Sequence, residues 1–82
     1  MEDTDPSRDF RVFGATIRRL RADRRYSQEG FADACGLDRT YIGGIERGER
    51  NPSLKNLLKM ARTLRIPPAE LLRDLVDEGG DD

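Results

Sequence analysis

Apolar residues recur along the chain at spacings of three and four, the period of an amphipathic helix, and no stretch alternates with the period of two that a half-buried strand requires. Phe10, Phe13, Ile17 and Leu20 form the first stripe, with Asp9 before it as a cap, so helix 1 is predicted over residues 10–24. Ser27 is a good N-cap for a short helix 2 over residues 28–35, and Gly36 supplies the left-handed residue that stops it. A capping box would place Glu or Gln at residue 30, where the chain has Gly, so the start of helix 2 is held less firmly. Asp38 caps helix 3, whose Ile42 and Ile45 face inward and which ends at Gly48. Asn51-Pro52-Ser53 is a turn and cap, and Leu54, Leu57, Leu58, Ala61 and Leu64 give helix 4 the clearest stripe. Pro67-Pro68 closes one element and opens the next, helix 5 over residues 68–76, with Leu71, Leu72, Leu75 and Val76 apolar. The predicted fold class is all-α, five short helices around one core.

Composition narrows what such a fold can do. At 82 residues the chain holds one small domain and no cleft between two lobes. Its net charge of −1 is an average over unlike parts. Residues 1–9 carry one base against four acids, and residues 74–82 carry five acids and no base. The body between them has 14 Lys and Arg against 7 Asp and Glu. Like-charge blocks at chain ends read as solvated tails, which gives an acidic flexible arm over residues 1–9, a folded basic body over 10–76 and an acidic flexible tail over 77–82. Such tails are expected to compete with other polyanions for the basic body.

Cys35 is the single cysteine, so no intrachain disulfide can form; it falls at an inward position and reads as a buried structural thiol. The N-terminus has no basic or apolar leader pattern, and no apolar run approaches the ~18 residues of a membrane span. The chain therefore reads as soluble and cytoplasmic, with no membrane partner. There is no His, which removes the common triads and zinc sites, and acids in tails cannot hold the ~5 Å separation of a carboxylate pair. No enzyme activity, cofactor or metal is expected.

Two helices joined by a short turn containing Gly form a helix-turn-helix unit, whose second helix can enter the major groove of DNA. Taking Gln28 as its first position, the fifth is Ala32, small enough for close helix approach, and the ninth is Gly36, where the turn needs positive φ. Positions fifteen and eighteen are Ile42 and Ile45, apolar as the second helix requires to pack back on the core. In "IRRLRADRRYSQEGFADACGL", "YIGGIERGERNPSL" and "LLKMARTLRI", over roughly residues 13–72, the chain resembles the Cro/repressor-type, lambda-repressor-like helix-turn-helix domains of bacteria and phages. Within it, "DRTYIGGIERGERNPSLKNL" is particularly similar to the controller proteins of restriction-modification systems. Gly30, where the family commonly has an acid, and the long acidic N-terminus are departures from the pattern. The resemblance implies a homodimeric transcription regulator that binds a palindromic DNA operator, with RNA polymerase as a further partner. The alternative is an antitoxin or phage-type repressor acting mainly through a protein partner.

Arg39 and Thr40, in the first turn of helix 3, are the candidates for reading bases: Arg bonds bidentately to guanine, and Thr offers a hydroxyl and a methyl. Gly43 and Gly44 cost about 1 kcal/mol each in mid-helix, which a backbone pressed against DNA or a neighbouring helix would explain, as would a kinked helix. Gly43 lies one turn beyond Arg39 and is counted with the base contacts. Tyr41 serves equally as a phosphate donor or as a ring packed on the core. The resemblance implies phosphate contacts for Gln28, for Arg50 and Asn51 on the loop after helix 3, and for Arg47. Ser53 can cap helix 4, touch phosphate, or both. Glu46 would be repelled by phosphate unless paired, and the resemblance implies that its partner is Arg21. Leu64, Ile66, Leu71, Leu72, Leu75 and Val76 exceed what a short helix 5 needs as an anchor, and form the candidate seam of a twofold dimer reading half-sites about 34 Å apart.

Overall fold

The computed structural model describes residues 6–75, and the elements there are α1 (Pro6–Asp23), α2 (Gln28–Cys35), α3 (Arg39–Glu46), α4 (Leu54–Leu64) and α5 (Pro68–Leu71). The helix order is the expected one, with two differences at the ends. Helix α1 starts at Pro6, a residue suited to a first turn, so Asp9 is not its cap but lies inside the first turn, where a carboxylate favours the helix dipole. Residues 6–9 thus belong to the folded body rather than to an arm. The rest of that arm, Val76 and the predicted tail lie outside the described residues.

Helix α5 is a single turn, shorter than its apolar run suggests, because the chain after Leu71 is held from the side. Asp74 Oδ2 accepts from Arg19 Nη2 at 3.3 Å and sits 3.2 Å from the buried Thr16 hydroxyl, both on α1. Asp74 is therefore a docked residue and not part of a free acidic end.

Phe13 and Ile17 of α1, Phe31 of α2, Ile42 and Ile45 of α3, Met60 and Leu64 of α4, and Leu71 of α5 meet in one core. Helix α1 packs on α3 and α5, α2 on α3 and α4, and α4 on α5. Enclosing one such aliphatic side chain is worth about 1.5–3 kcal/mol, so these contacts, not helix propensity, hold elements of eight residues or fewer. Leu54, the first position of the helix 4 stripe, departs from it at 70% exposure, one turn before the stripe meets α2 and α5. Leu64 and Leu71, assigned to a pairing seam, are sealed in the core at 0% and 1% exposure and have no surface to offer a second chain. Ile66 is half-buried against the same core.

The approach of α1 to α3 depends on Gly14. A Cβ there would fall within 2.7 Å of the Glu46 carbonyl oxygen and closer still to that of Ile45, so the two backbones touch with no side chain between them. Arg24 adds a polar tie at the far end of α1, donating from Nε to the Leu64 carbonyl at 2.8 Å and satisfying one of the open carbonyls that end α4.

Candidate nucleic-acid interface

Three side-chain caps shape the face that carries the predicted contacts. Ser27 Oγ accepts from the Gly30 amide at 2.9 Å, Asp38 Oδ1 from the Thr40 amide at 3.1 Å, and Ser53 Oγ from the Asn56 amide at 3.1 Å. Between α2 and α3, Gly36 adopts φ +72°, and the Leu37 amide returns to the Ala32 carbonyl at 2.8 Å. Ala32 is 1% exposed under the crossing of the two helices, the place where a larger side chain would hold them apart.

The structure sorts the candidate residues. Arg39 and Thr40 are both exposed in the first turn of α3. The Tyr41 ring packs against the core. Gly43, expected to offer bare backbone to a ligand, is instead buried: Gln28 and Arg47 cover it, and a Cβ there would be 3.1 Å from Arg47 Nη1. Gly44 is covered by the stem of Arg50, whose Cγ would be 2.7 Å from an added Cβ. Arg47 is paired with Glu49 at 3.1 Å and stays solvent-exposed, as does Arg50. Ser53 is engaged as a cap and is exposed as a residue.

Arg21 and Glu46 form a two-pronged ion pair, Nε to Oε2 at 2.6 Å and Nη2 to Oε1 at 3.0 Å, with only 14% and 5% of the side chains exposed. Arg21 Nη1 also donates to the Tyr26 carbonyl at 3.0 Å, tying the loop before α2 to the same guanidinium. The hydrogen bond to Glu46 raises the Arg21 pKa, against the opposing effect of burial and with further help from the carboxylate charge. The charge of Glu46 is thereby compensated within the protein and turned away from solvent. Cys35 is buried, and desolvation pushes its thiol pKa up despite the Thr63 hydroxyl and the Lys59 charge, so it stays a neutral thiol at physiological pH.

A second surface feature is an open, apolar groove of about 290 Å³ lined by Phe10, Phe13, Pro52, Leu57, Leu72 and Leu75. Of the expected pairing seam, Leu72 and Leu75 line it among the described residues. Phe10, Phe13, Pro52 and Leu57 were not expected there; Phe10, Phe13 and Leu57 carry core spacing, and the docking of Leu75 beside them reveals the groove. Asp9 and Asn51 also line it. No described helix is long and apolar enough to cross a membrane, and no three His, Cys, Asp or Glu gather as metal ligands among the described residues.

A match to the helix-turn-helix (HTH_3) family spans residues 17–71, two thirds of the chain and all of α2 through α5. The chain belongs to the helix-turn-helix family. This helix-turn-helix chain is 45% identical over 62 residues to the control protein C.BamHI of Bacillus amyloliquefaciens, covering 74% of this chain and 76% of that one. It is 45% identical over 67 residues to the control protein C.MunI of a Mycoplasma species, covering 80% and 90% respectively. The crystal structure of the restriction-modification controller protein C.AhdI from Aeromonas hydrophila superposes with a TM-score of 0.77 at 52% identity, over 78% of this chain and 97% of that one. The all-α, lambda-repressor-like reading of the sequence agrees with these findings.

Proposed function

We propose that this helix-turn-helix chain is a DNA-binding transcription regulator of the controller type, pairing through its apolar groove and reading a palindromic operator with α3. The observation that carries the reading is the exposed Arg39 and Thr40 at the N-terminal turn of a helix fixed on α2 by a capped, glycine-containing turn. Relatives named as control proteins share its sequence through that region. Arg47, Arg50 and Ser53 border the same face with exposed polar groups and are assigned to the phosphate backbone, which sets register without reading sequence. RNA polymerase is the further partner whose access such a dimer controls.

Selection of bound sequences from random duplex at fixed salt tests this. The expected product is a palindrome with half-sites about one helical turn apart, bound with a log–log salt slope of about −5 or steeper. Arg39→Ala should weaken operator binding by about 1–3 kcal/mol and relax one position of the site. Binding without sequence preference, at any salt, rejects the reading.

A further inference from the structure

Leu71 is sealed in the core, and beyond it the backbone holds itself only by short turns. The Leu72 amide donates to the Ala69 carbonyl at 3.1 Å, Arg73 to Glu70 at 3.4 Å and Leu75 to Leu72 at 3.1 Å. The Arg73–Glu70 ion pair at 2.8 Å closes on the same turn and ties it to no other element. Among the described residues, Asp74 is the one polar link from residues 72–75 to the rest of the fold, through Thr16 and Arg19 of α1. Leu72 and Leu75, on either side of it in the chain, line the apolar groove.

The link is easily released. The buried Thr16 hydroxyl has one hydrogen and two acceptors within reach, the Val12 carbonyl at 3.1 Å and Asp74 Oδ2 at 3.2 Å. When Asp74 leaves, the hydroxyl turns to Val12, four residues back on its own helix, and no buried donor is orphaned. Asp74 and Arg19 both stand more than half exposed, so water takes over each charge, and an exposed pair of this kind shifts an equilibrium by about fivefold at most. The docked and released states of residues 72–75 therefore lie close in free energy.

We propose that Asp74 is a positioning residue for self-pairing: docked on Thr16 and Arg19 it sets Leu72 and Leu75 as a wall of the groove, and released it leaves the groove without that wall. The proposal rests on the groove being the pairing surface, as given above. In a twofold pair both chains must present the wall, so a fall in the docked fraction enters the dimer dissociation constant squared. Salt gives the contact a signature of its own. It screens the exposed Asp74–Arg19 pair, whereas burial of apolar surface carries no charge to screen.

Sedimentation equilibrium of the full chain measures that constant. Asp74→Asn keeps an acceptor for Thr16 but loses the charge facing Arg19, and should raise the constant about fourfold, twofold for each chain. Asp74→Ala loses both contacts and should raise it about tenfold. Between about 0.05 M and about 1 M sodium chloride the constant of the original chain should rise about fourfold, and that of Asp74→Asn less than about twofold. Arg19→Ala should match Asp74→Asn, and Arg19→Lys, which keeps the charge, should restore pairing. In a Leu72→Asp background, Asp74→Ala should add less than about twofold, because the wall it positions is already spoiled. An equal loss in both backgrounds overturns the proposal, since Asp74 would then meet the second chain directly. So does unchanged association in Asp74→Ala, or a salt response that survives in Asp74→Asn. If Leu72→Asp alone leaves association unchanged, the groove is not the pairing surface, and it is that reading which fails.

Discussion

Gly14 sets the distance between α1 and α3, because its hydrogen faces two backbone carbonyls that cannot move aside as a side chain could. Gly14→Ala should destabilise the domain by about 2–3 kcal/mol, seen as a fall in Tm of about 10–20 °C in a thermal melt. A Tm within a few degrees of the original would show that the helices separate cheaply. In the sequence Gly14 is only a glycine within a helical stripe, where the lone cost is propensity; nothing marks which surface it meets. Gly43 shows the opposite failure. A missing side chain reads as room for an outside ligand, whereas the space is taken by Arg47 at the end of α3 and by Gln28, a residue fifteen positions away that donates to Glu46. The exposed placement of Arg39 and Thr40 is legible because a capped helix start fixes where its first turn lies, and that is a local property.

At the scale of the element, α1 to α4 all end in the same way. Arg25, Gly36, Gly48 and Arg65 adopt φ of +64°, +72°, +76° and +59°. The amides that follow, of Tyr26, Leu37, Glu49 and Ile66, return to carbonyls five residues earlier at 2.8–3.1 Å. Tyr26, Leu37 and Ile66 then pack on the core, so three of the four ends pair the turn with an apolar contact. Two of these left-handed sites hold arginine, where a Cβ costs about 1 kcal/mol or more. Arg25→Gly and Arg65→Gly should each raise stability by about 0.5–1 kcal/mol in urea unfolding, the gain reduced by the freer unfolded chain and by the lost cation at a helix end. A loss of stability in either variant would mean that the arginine contributes more than its strain. Glycine makes two helix ends readable in the sequence; arginine hides the other two, which are marked instead by the Ser27 cap and by Pro67-Pro68 after them.

Over the whole molecule, apolar spacing identified the helices and most of the core but could not tell which apolar residues remain uncovered. Leu64 and Leu71 share the period of Leu72 and Leu75, yet the first two are enclosed and the others line the groove, because Asp74 pins the last described turn to Thr16 and Arg19. No local pattern announces a contact spanning 58 residues. If the groove is the pairing surface, Leu72→Asp should weaken self-association by at least about tenfold in sedimentation while changing monomer stability by no more than about 0.5 kcal/mol, since Leu72 is already 43% exposed. Unchanged association would place the pairing surface elsewhere.

Helix α1 touches α3 through Gly14 and the last described turn through Asp74, so it is a strut joining the two faces with no loop along its length. If two chains pair at the groove and α3 reads the operator as proposed, that strut sets the operator spacing. One base pair inserted between half-sites swings the second about 35° round the duplex axis, and a continuous helix between the pairing and reading faces does not turn to follow it.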